Sequence, residues 1–194
     1  MIKKSDILNT IKTAVILFLI TGISAFALGA VNNVTAPIIA KNNEAKQQVA
    51  MRTVQPEADI ENGFSELLEL SEIPEIVTKV FEAKKSGEKF GYAVLVEPMG
   101  YNGNISMVVG VDTNGVVTGI DITSQSETPG LGANCTKEEF KAQFIGKEKE
   151  ISVVKNNAKD NQIDAMTSAT ITSKAVTEGV NAAIAAVEVI EGGF

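Results

Sequence analysis

The residues best suited to chemistry lie between positions 164 and 174. There Asp164, Thr167, Ser168, Thr170, Thr172 and Ser173 crowd a short run of small side chains. An ionised aspartate followed by small and hydroxylated residues reads as a turn. Directly after it Val176, Val180, Ala183, Ile184 and Val187 recur three or four residues apart, the period of a helix over Ile171–Ile190. Thr170 therefore stands at or just before a helix N-terminus, where unpaired amides and the helix dipole favour a phosphate. Its single hydroxyl on a stiff β-branched side chain suits an ester. The same hydroxyls, Thr167, Ser168, Thr170 and Thr172, can equally do no more than cap the helix. Hydroxyl types and spacing do not choose between the two.

A second run, Glu127-Thr128-Pro129-Gly130-Leu131-Gly132, precedes the first by about forty residues. Pro129 fixes one backbone angle, while Gly130 and Gly132 permit positive φ and close approach of another group to the main chain. That suits a rigid loop against a planar ring or a phosphate; an ordinary tight turn carries the same Pro-Gly pair.

Composition narrows the chemistry. The 194 residues include no His, so neither an imidazole base nor an imidazole metal site is available. The single Cys135 excludes an internal disulfide and an iron–sulfur cluster held by this chain alone. No metal site is expected within this chain, and Cys135 reads as an incidental thiol, the alternative being a cluster ligand shared with other chains. With no Trp and two Tyr, a bound ring would be covered by Phe, Leu or backbone. A net charge of −7 offers no basic stripe to displace phosphate counterions, which argues against nucleic acid. Electron chemistry in such a chain needs a cofactor.

The two runs together carry a resemblance. Asp164 to Thr170 resembles the Asp-x-x-Ser/Thr-Gly-Ala-Thr motif at which a flavin transferase esterifies the phosphate of FMN onto the last threonine. Residues 127–132 resemble the Glu-Thr-Pro-Gly-Leu-Gly loop of the same proteins, and Gly100-Tyr101-Asn102-Gly103-Asn104-Ile105 and Phe90-Gly91-Tyr92-Ala93 look like further segments of them. The chain is similar, from its N-terminal apolar segment to about Val187, to the FMN-binding subunit shared by Rnf-type ferredoxin:NAD oxidoreductases and Na+-translocating quinone reductases. Its length suits the Rnf-type subunit better. It departs from the motif at Ser168, where the family usually has glycine.

The resemblance implies covalent FMN on Thr170. Asp164, Thr167, Ser168 and Ala169 would serve transferase recognition or phosphate seating, and Glu127, Thr128, Gly130, Leu131 and Gly132 would line the flavin. It implies an electron-carrier subunit of a ferredoxin:NAD oxidoreductase coupled to Na+ or proton translocation. Such a subunit has no catalytic residues or independent activity of its own. Its partners would be the other subunits of the Rnf-type membrane complex and the flavin transferase. Alternatives are a subunit of the quinone-reductase type, a stand-alone membrane-anchored flavoprotein for extracellular electron transfer, and a cofactor-free structural subunit in which Ser168 has abolished flavinylation.

The positioning elements follow from periodicity. No charge occurs between Lys12 and Lys41, and residues 14–31 are almost wholly apolar or small, enough for a transmembrane helix over 13–36. Lys3, Lys4 and Lys12 place residues 1–12 in the cytoplasm by the positive-inside rule, although Lys41, Lys46 and Arg52 weaken the contrast. The expected element is a retained anchor; the competing reading is a cleavable signal peptide ending at Ala25-Phe26-Ala27. Both export the main domain. Pro37 is expected to end or kink the helix, with Ile38 to about Val54 as an amphipathic stalk, and 37–74 as stalk and acidic connector. Phe64, Leu67, Leu68 and Leu70 are expected to pack on the domain, and Glu57, Asp59 and Glu61 to be a wet face. Within 75–194, Ser86-Gly87-Glu88 and Asp112-Thr113-Asn114-Gly115 mark two β-hairpins. Thr136–Phe144 reads as a helix and Ile151–Val154 as a strand. The sum is an α+β fold: a transmembrane helix, then one extracytoplasmic FMN-binding domain with an antiparallel sheet and helices on one side of it.

Overall fold

The computed structural model describes residues 4–67, 72–148 and 150–192, with side chains from residue 11 onward. It forms two compact units, Met1–Ala45 and Lys46–Phe194. A single helix, α1 (Lys4–Val54), supplies the first unit and the beginning of the second.

Pro37 lies inside α1 and does not end it; of the two expectations, an end or a kink, the first is not met. Proline withdraws one amide donor, leaving the Asn33 carbonyl without its usual partner, and the rest of the 51-residue ladder carries the helix through. The segment from Ile11 contains a window of mean hydropathy 2.4, long and apolar enough to cross a membrane. Phe18, Ile23, Phe26 and Leu28 stand exposed around it, an apolar surface suited to a membrane interior. One such N-terminal helix fits a single-pass membrane subunit.

The second unit is built on a five-stranded antiparallel sheet ordered β1 (Phe64–Glu66), β2 (Val77–Lys85), β3 (Glu88–Val96), β4 (Ser106–Asp112), β5 (Val117–Ser124). Both predicted hairpins are present. The β2–β3 turn takes positive φ at Ser86 and Gly87, and the Asp112 carboxylate closes the β4–β5 turn by accepting the Asn114 and Val116 amides. Strand alternation sorts the side chains by face. Tyr92, Val94, Val96, Met107, Val109 and Val111 join the core under α3 (Thr170–Glu191). Ala93, Leu95 and Val108 point the other way, onto Ala50, Met51 and Val54 at the end of α1.

Helical segments therefore cover both faces, not one. The end of α1 that the sequence reads as a stalk is a core element, admitted because glycines leave the sheet bare beneath it. A Cβ on Gly110 would sit 2.6 Å from the Val54 carbonyl oxygen. The Thr118 hydroxyl donates to that oxygen at 2.8 Å, and Gln55 Nε2 donates to the Tyr92 and Val111 carbonyls at 2.9 and 3.2 Å. Part of the acidic connector is likewise fastened: Asp59 accepts the Ser86 and Gly87 amides, and Glu57 pairs with Lys85. Phe64 and Leu67 pack on the two cores, whereas Leu68 and Leu70 lie outside the described residues.

The predicted helix over Thr136–Phe144 is three shorter pieces: 3-10 turns at Gly132–Thr136 and Ala142–Phe144 around α2 (Glu138–Lys141). Lys137, extended at φ −74° and ψ 141°, interrupts the first of them. Phe140 and Phe144 still share one face, packed edge to face at 5.5 Å. Strand β6 (Ser152–Val154) pairs in parallel with β7 (Gln162–Asp164), a strand too short for its alternation to be read. From β7 the chain passes through residues 165–169 directly into α3.

Candidate functional site

Three segments meet at the N-terminal end of α3: the loop after β3 around Tyr101, residues 127–132 after β5, and residues 168–172. They enclose a pocket of about 540 Å³ lined by Tyr101, Glu127, Thr128, Leu131, Gly132 and residues 168–172. The helix starts at Thr170 without a side-chain cap, because its N-cap residue is Ala169. The amides of its first turn therefore keep their usual need for an acceptor. The Thr170 hydroxyl is exposed on the pocket wall and has no hydrogen-bond partner among the described residues.

Three neighbouring hydroxyls are engaged elsewhere. Ser173 Oγ accepts the Met166 amide and donates to the Ala169 carbonyl, both at 3.0 Å, which folds residues 166–169 back onto the helix. Thr177 donates to the Ser173 carbonyl. Thr172 donates to Glu127 Oε2 in a short bond. The cluster thus divides into framework hydroxyls at 172, 173 and 177 and unengaged ones at 167, 168 and 170; of these Ser168 and Thr170 line the pocket, and Thr170 alone belongs to the helix.

Glu127 is the keystone of the three segments. Its side chain is 5% exposed. Oε2 accepts the Thr172 hydroxyl, Oε1 accepts the Asn102 amide at 2.9 Å, and its own amide donates to Gln125 Oε1 at 2.6 Å. Two glycines make room for the carboxylate. A Cβ on Gly100 would lie 2.6 Å from Oε1, and one on Gly132 would lie 2.5 Å from Oε2 and 2.6 Å from the Thr172 oxygen. Gly132 therefore admits the Glu127–Thr172 bond itself, and Gly130 at φ 78° turns the loop outward. Nearby, burial first and the Glu127 carboxylate second push the Cys135 thiol up to about 11.

Ser168 has φ 58°. A left-handed residue here is what glycine adopts most readily, and serine accepts it at a cost of about 1 kcal/mol. The turn into α3 is thus made with serine in a glycine conformation.

Of the ten residues singled out from sequence, Glu127, Thr128, Leu131, Gly132, Ser168, Ala169 and Thr170 line the pocket. Gly130, Asp164 and Thr167 do not. Asp164 is tied away from it, its carboxylate accepting the Ala158 amide at 2.9 Å and its amide donating to Gln143 at 2.7 Å. It braces the loop leading into the site. Three lining residues were not assigned to cofactor binding: Tyr101, Ile171 and Thr172, the last read only as one of the cluster's capping hydroxyls. Tyr101 lines the rim beside Leu131, a tyrosine added to the Phe, Leu or backbone that was expected. Its neighbours Gly100 and Gly103 were the available signal.

Residues 100–185 match the FMN-binding domain family. Over 187 residues, 89% of each chain, the sequence is 41% identical to the G subunit of the Na+-translocating ferredoxin:NAD+ oxidoreductase complex of Acetobacterium woodii. The chain belongs to this G-subunit family. It is also 37% identical over 172 residues, 88% of each chain, to the G subunit of the proton-translocating ferredoxin:NAD+ oxidoreductase complex of Clostridium ljungdahlii. The crystal structure of the C subunit of Na+-translocating NADH-quinone reductase from Parabacteroides distasonis shares the fold, with a TM-score of 0.55 at 24% identity over 78% of this chain and 92% of that one.

The pocket suits the cofactor that names the domain. Its volume lies in the range of small-molecule sites, several hundred Å³. It presents a helix N-terminus to a phosphate, and Tyr101 and Leu131 to a ring. A larger depression of about 740 Å³, between Pro74–Ile76 and the Thr177–Ala185 side of α3, lacks these features. Its Asn181 side chain is engaged by the Ile151 amide and carbonyl.

Proposed function

We propose that this protein carries FMN as a phosphoester on Thr170 and relays electrons within an ion-translocating ferredoxin:NAD oxidoreductase complex. The observation that carries the reading is the Thr170 hydroxyl. It stands free on the wall of a pocket of suitable size, in the first turn of an uncapped helix; Thr172 and Ser173 are hydrogen-bonded away, and Thr167 and Ser168, also free, precede the helix. The helix dipole and first-turn amides of α3 would hold the phosphate. Leu131 and Tyr101 would flank the ring, and Glu127 would keep the Thr128–Gly132 loop in register with α3. FMN supplies the redox chemistry when bound. Ser168, already in the left-handed conformation, keeps the turn of the motif and supports flavinylation over a cofactor-free role.

The remaining assignments belong to the same reading. A flavin transferase would recognise the exposed loop ending at Thr170, with Thr167 and Ser168 accessible to it. α1 would anchor the chain with its N-terminus in the cytoplasm, holding the FMN-binding domain on the outer face. There it would exchange electrons with a metal centre in the membrane and with another flavin subunit. This chain's sequence does not separate the two coupling ions, as relatives named for Na+ and for protons are of similar identity to it.

The test is coexpression of the full chain with the transferase, followed by denaturing electrophoresis under ultraviolet light. Wild type should give a fluorescent band and Thr170→Val none. A dark wild-type band, with a known flavinylated substrate bright in the same cells, overturns the reading.

A further inference from the structure

The three loops around the pocket are almost free of charge. Residues 98–105, 122–136 and 165–173 contain one charged side chain, Glu127, and it is buried and hydrogen-bonded. The whole chain is 21% charged with a net charge of −7, so an ordinary solvated surface of this extent would carry several charges. In their place stand exposed apolar groups: Met99 at 68%, Tyr101 at 70%, Leu131 at 40% and Ile171 at 55%. On α3 the contrast occurs within two turns. Ile171 is exposed in the first turn, whereas the next exposed positions are Lys174 and Glu178. Scattered exposed apolar side chains need no explanation, but a contiguous uncharged patch marks an interaction surface.

Building on the proposed function, we infer that this rim is the docking surface for the redox partner of the site, and that the partner meets it with an uncharged, apolar protein face. Charge complementarity selects that chemistry. A charged partner face would be stripped of water here against loops that offer no countercharge. An anionic lipid surface would call for Lys or Arg, and the three loops contain neither. Uncharged docking brings the partner's redox group close to the ring edge and makes transfer indifferent to salt.

The experiment uses the purified complex and two exposed positions outside the pocket lining but within two residues of it in sequence, Met99 before Tyr101 and Ser126 before Glu127, with exposed Ile145 as control. Benzoylphenylalanine at 99 or 126 should photocrosslink to another protein of the complex, and at 145 should not. Adducts with lipid, or equal crosslinking from 145, overturn the inference. Met99→Lys and Met99→Asp should each slow ferredoxin:NAD turnover about tenfold or more, because either sign leaves a buried charge unpaired. Wild-type turnover should change less than twofold between low and high salt. Acceleration by one sign with slowing by the other reveals a charged partner and overturns the inference. The flavin band is scored in the same samples. Its absence from wild type defeats the Thr170 reading, whereas a bright band with unslowed Met99 variants defeats the docking surface alone.

Discussion

Replacing Glu127 with alanine should uncouple the segments that form the pocket. The carboxylate accepts two hydrogen bonds from groups far apart in sequence, the Asn102 amide and the Thr172 hydroxyl, while buried between Gly100 and Gly132. Hydrogen bonds to a charged acceptor contribute about 1.5–3 kcal/mol each, so the alanine variant should lose about 3 kcal/mol or more. Glu127→Gln keeps the shape and an acceptor oxygen, and should lose about 1 kcal/mol. With a urea m-value of about 2 kcal/mol/M, the alanine variant's midpoint should fall by about 1.5 M. The assay is urea titration of the full chain in mild detergent, followed by tyrosine fluorescence and circular dichroism. A double-mutant cycle with Thr172→Val isolates the bond, and its coupling energy should exceed about 1 kcal/mol. Additivity of the two single variants to within about 0.3 kcal/mol would refute a clamp through Thr172. Flavinylation gives a second readout: Glu127→Ala should weaken the fluorescent band and Glu127→Gln should retain it.

Other consequences concern separate features. Ser168→Gly should raise stability by about 0.5–1 kcal/mol by relieving the left-handed serine, while Ser168→Val should lower it by more than about 1 kcal/mol, both read from urea midpoints. Cys135, buried and with its thiol pushed up to about 11, should resist alkylation at pH 8 in the native protein and react once unfolded; fast labelling of native protein would contradict its placement. Hydrogen bonds from Lys89 and Tyr92 hold the Glu191 carboxyl below its ordinary value of 4.5. A depressed carboxylate contributes stability above its unfolded pKa, and the contribution is lost as pH falls through the folded value. Glu191→Gln should therefore flatten the loss of stability below about pH 4.5. The cluster is partly exposed, so the difference should stay under about 1 kcal/mol.

Where a signal was local, the sequence carried it. The two hairpins follow from alternation and from Asn114-Gly115 and Ser86-Gly87, and α3 from its four-residue spacing. Thr170 was placed at the helix start by that spacing alone. Elements held by distant contacts were not legible. The end of α1 reads as a stalk because nothing in residues 46–54 announces that Gly91, Gly110 and Gly119 lie bare beneath it. Strands β1 and β7 are three residues long, too short to show a period. At the site, the Glu127–Thr172 bond joins residues 45 apart, so Thr172 reads as one more capping hydroxyl. Asp164 shows the reverse case: its position in a motif suggests transferase recognition or phosphate seating, and the structure adds a bond that spacing does not announce, Oδ1 accepting the Ala158 amide. The role of Ser168 became visible only with its φ.

The attachment itself is tested most directly by mass. A tryptic digest of the full chain coexpressed with the transferase should yield the peptide Asp160–Lys174, which contains every hydroxyl of the cluster but Thr177. The expected product carries the mass of FMN less one water, with fragment ions placing the addition on Thr170. An unmodified peptide from a culture whose transferase is active, or an addition on Thr167, Ser168, Thr172 or Ser173, would contradict it.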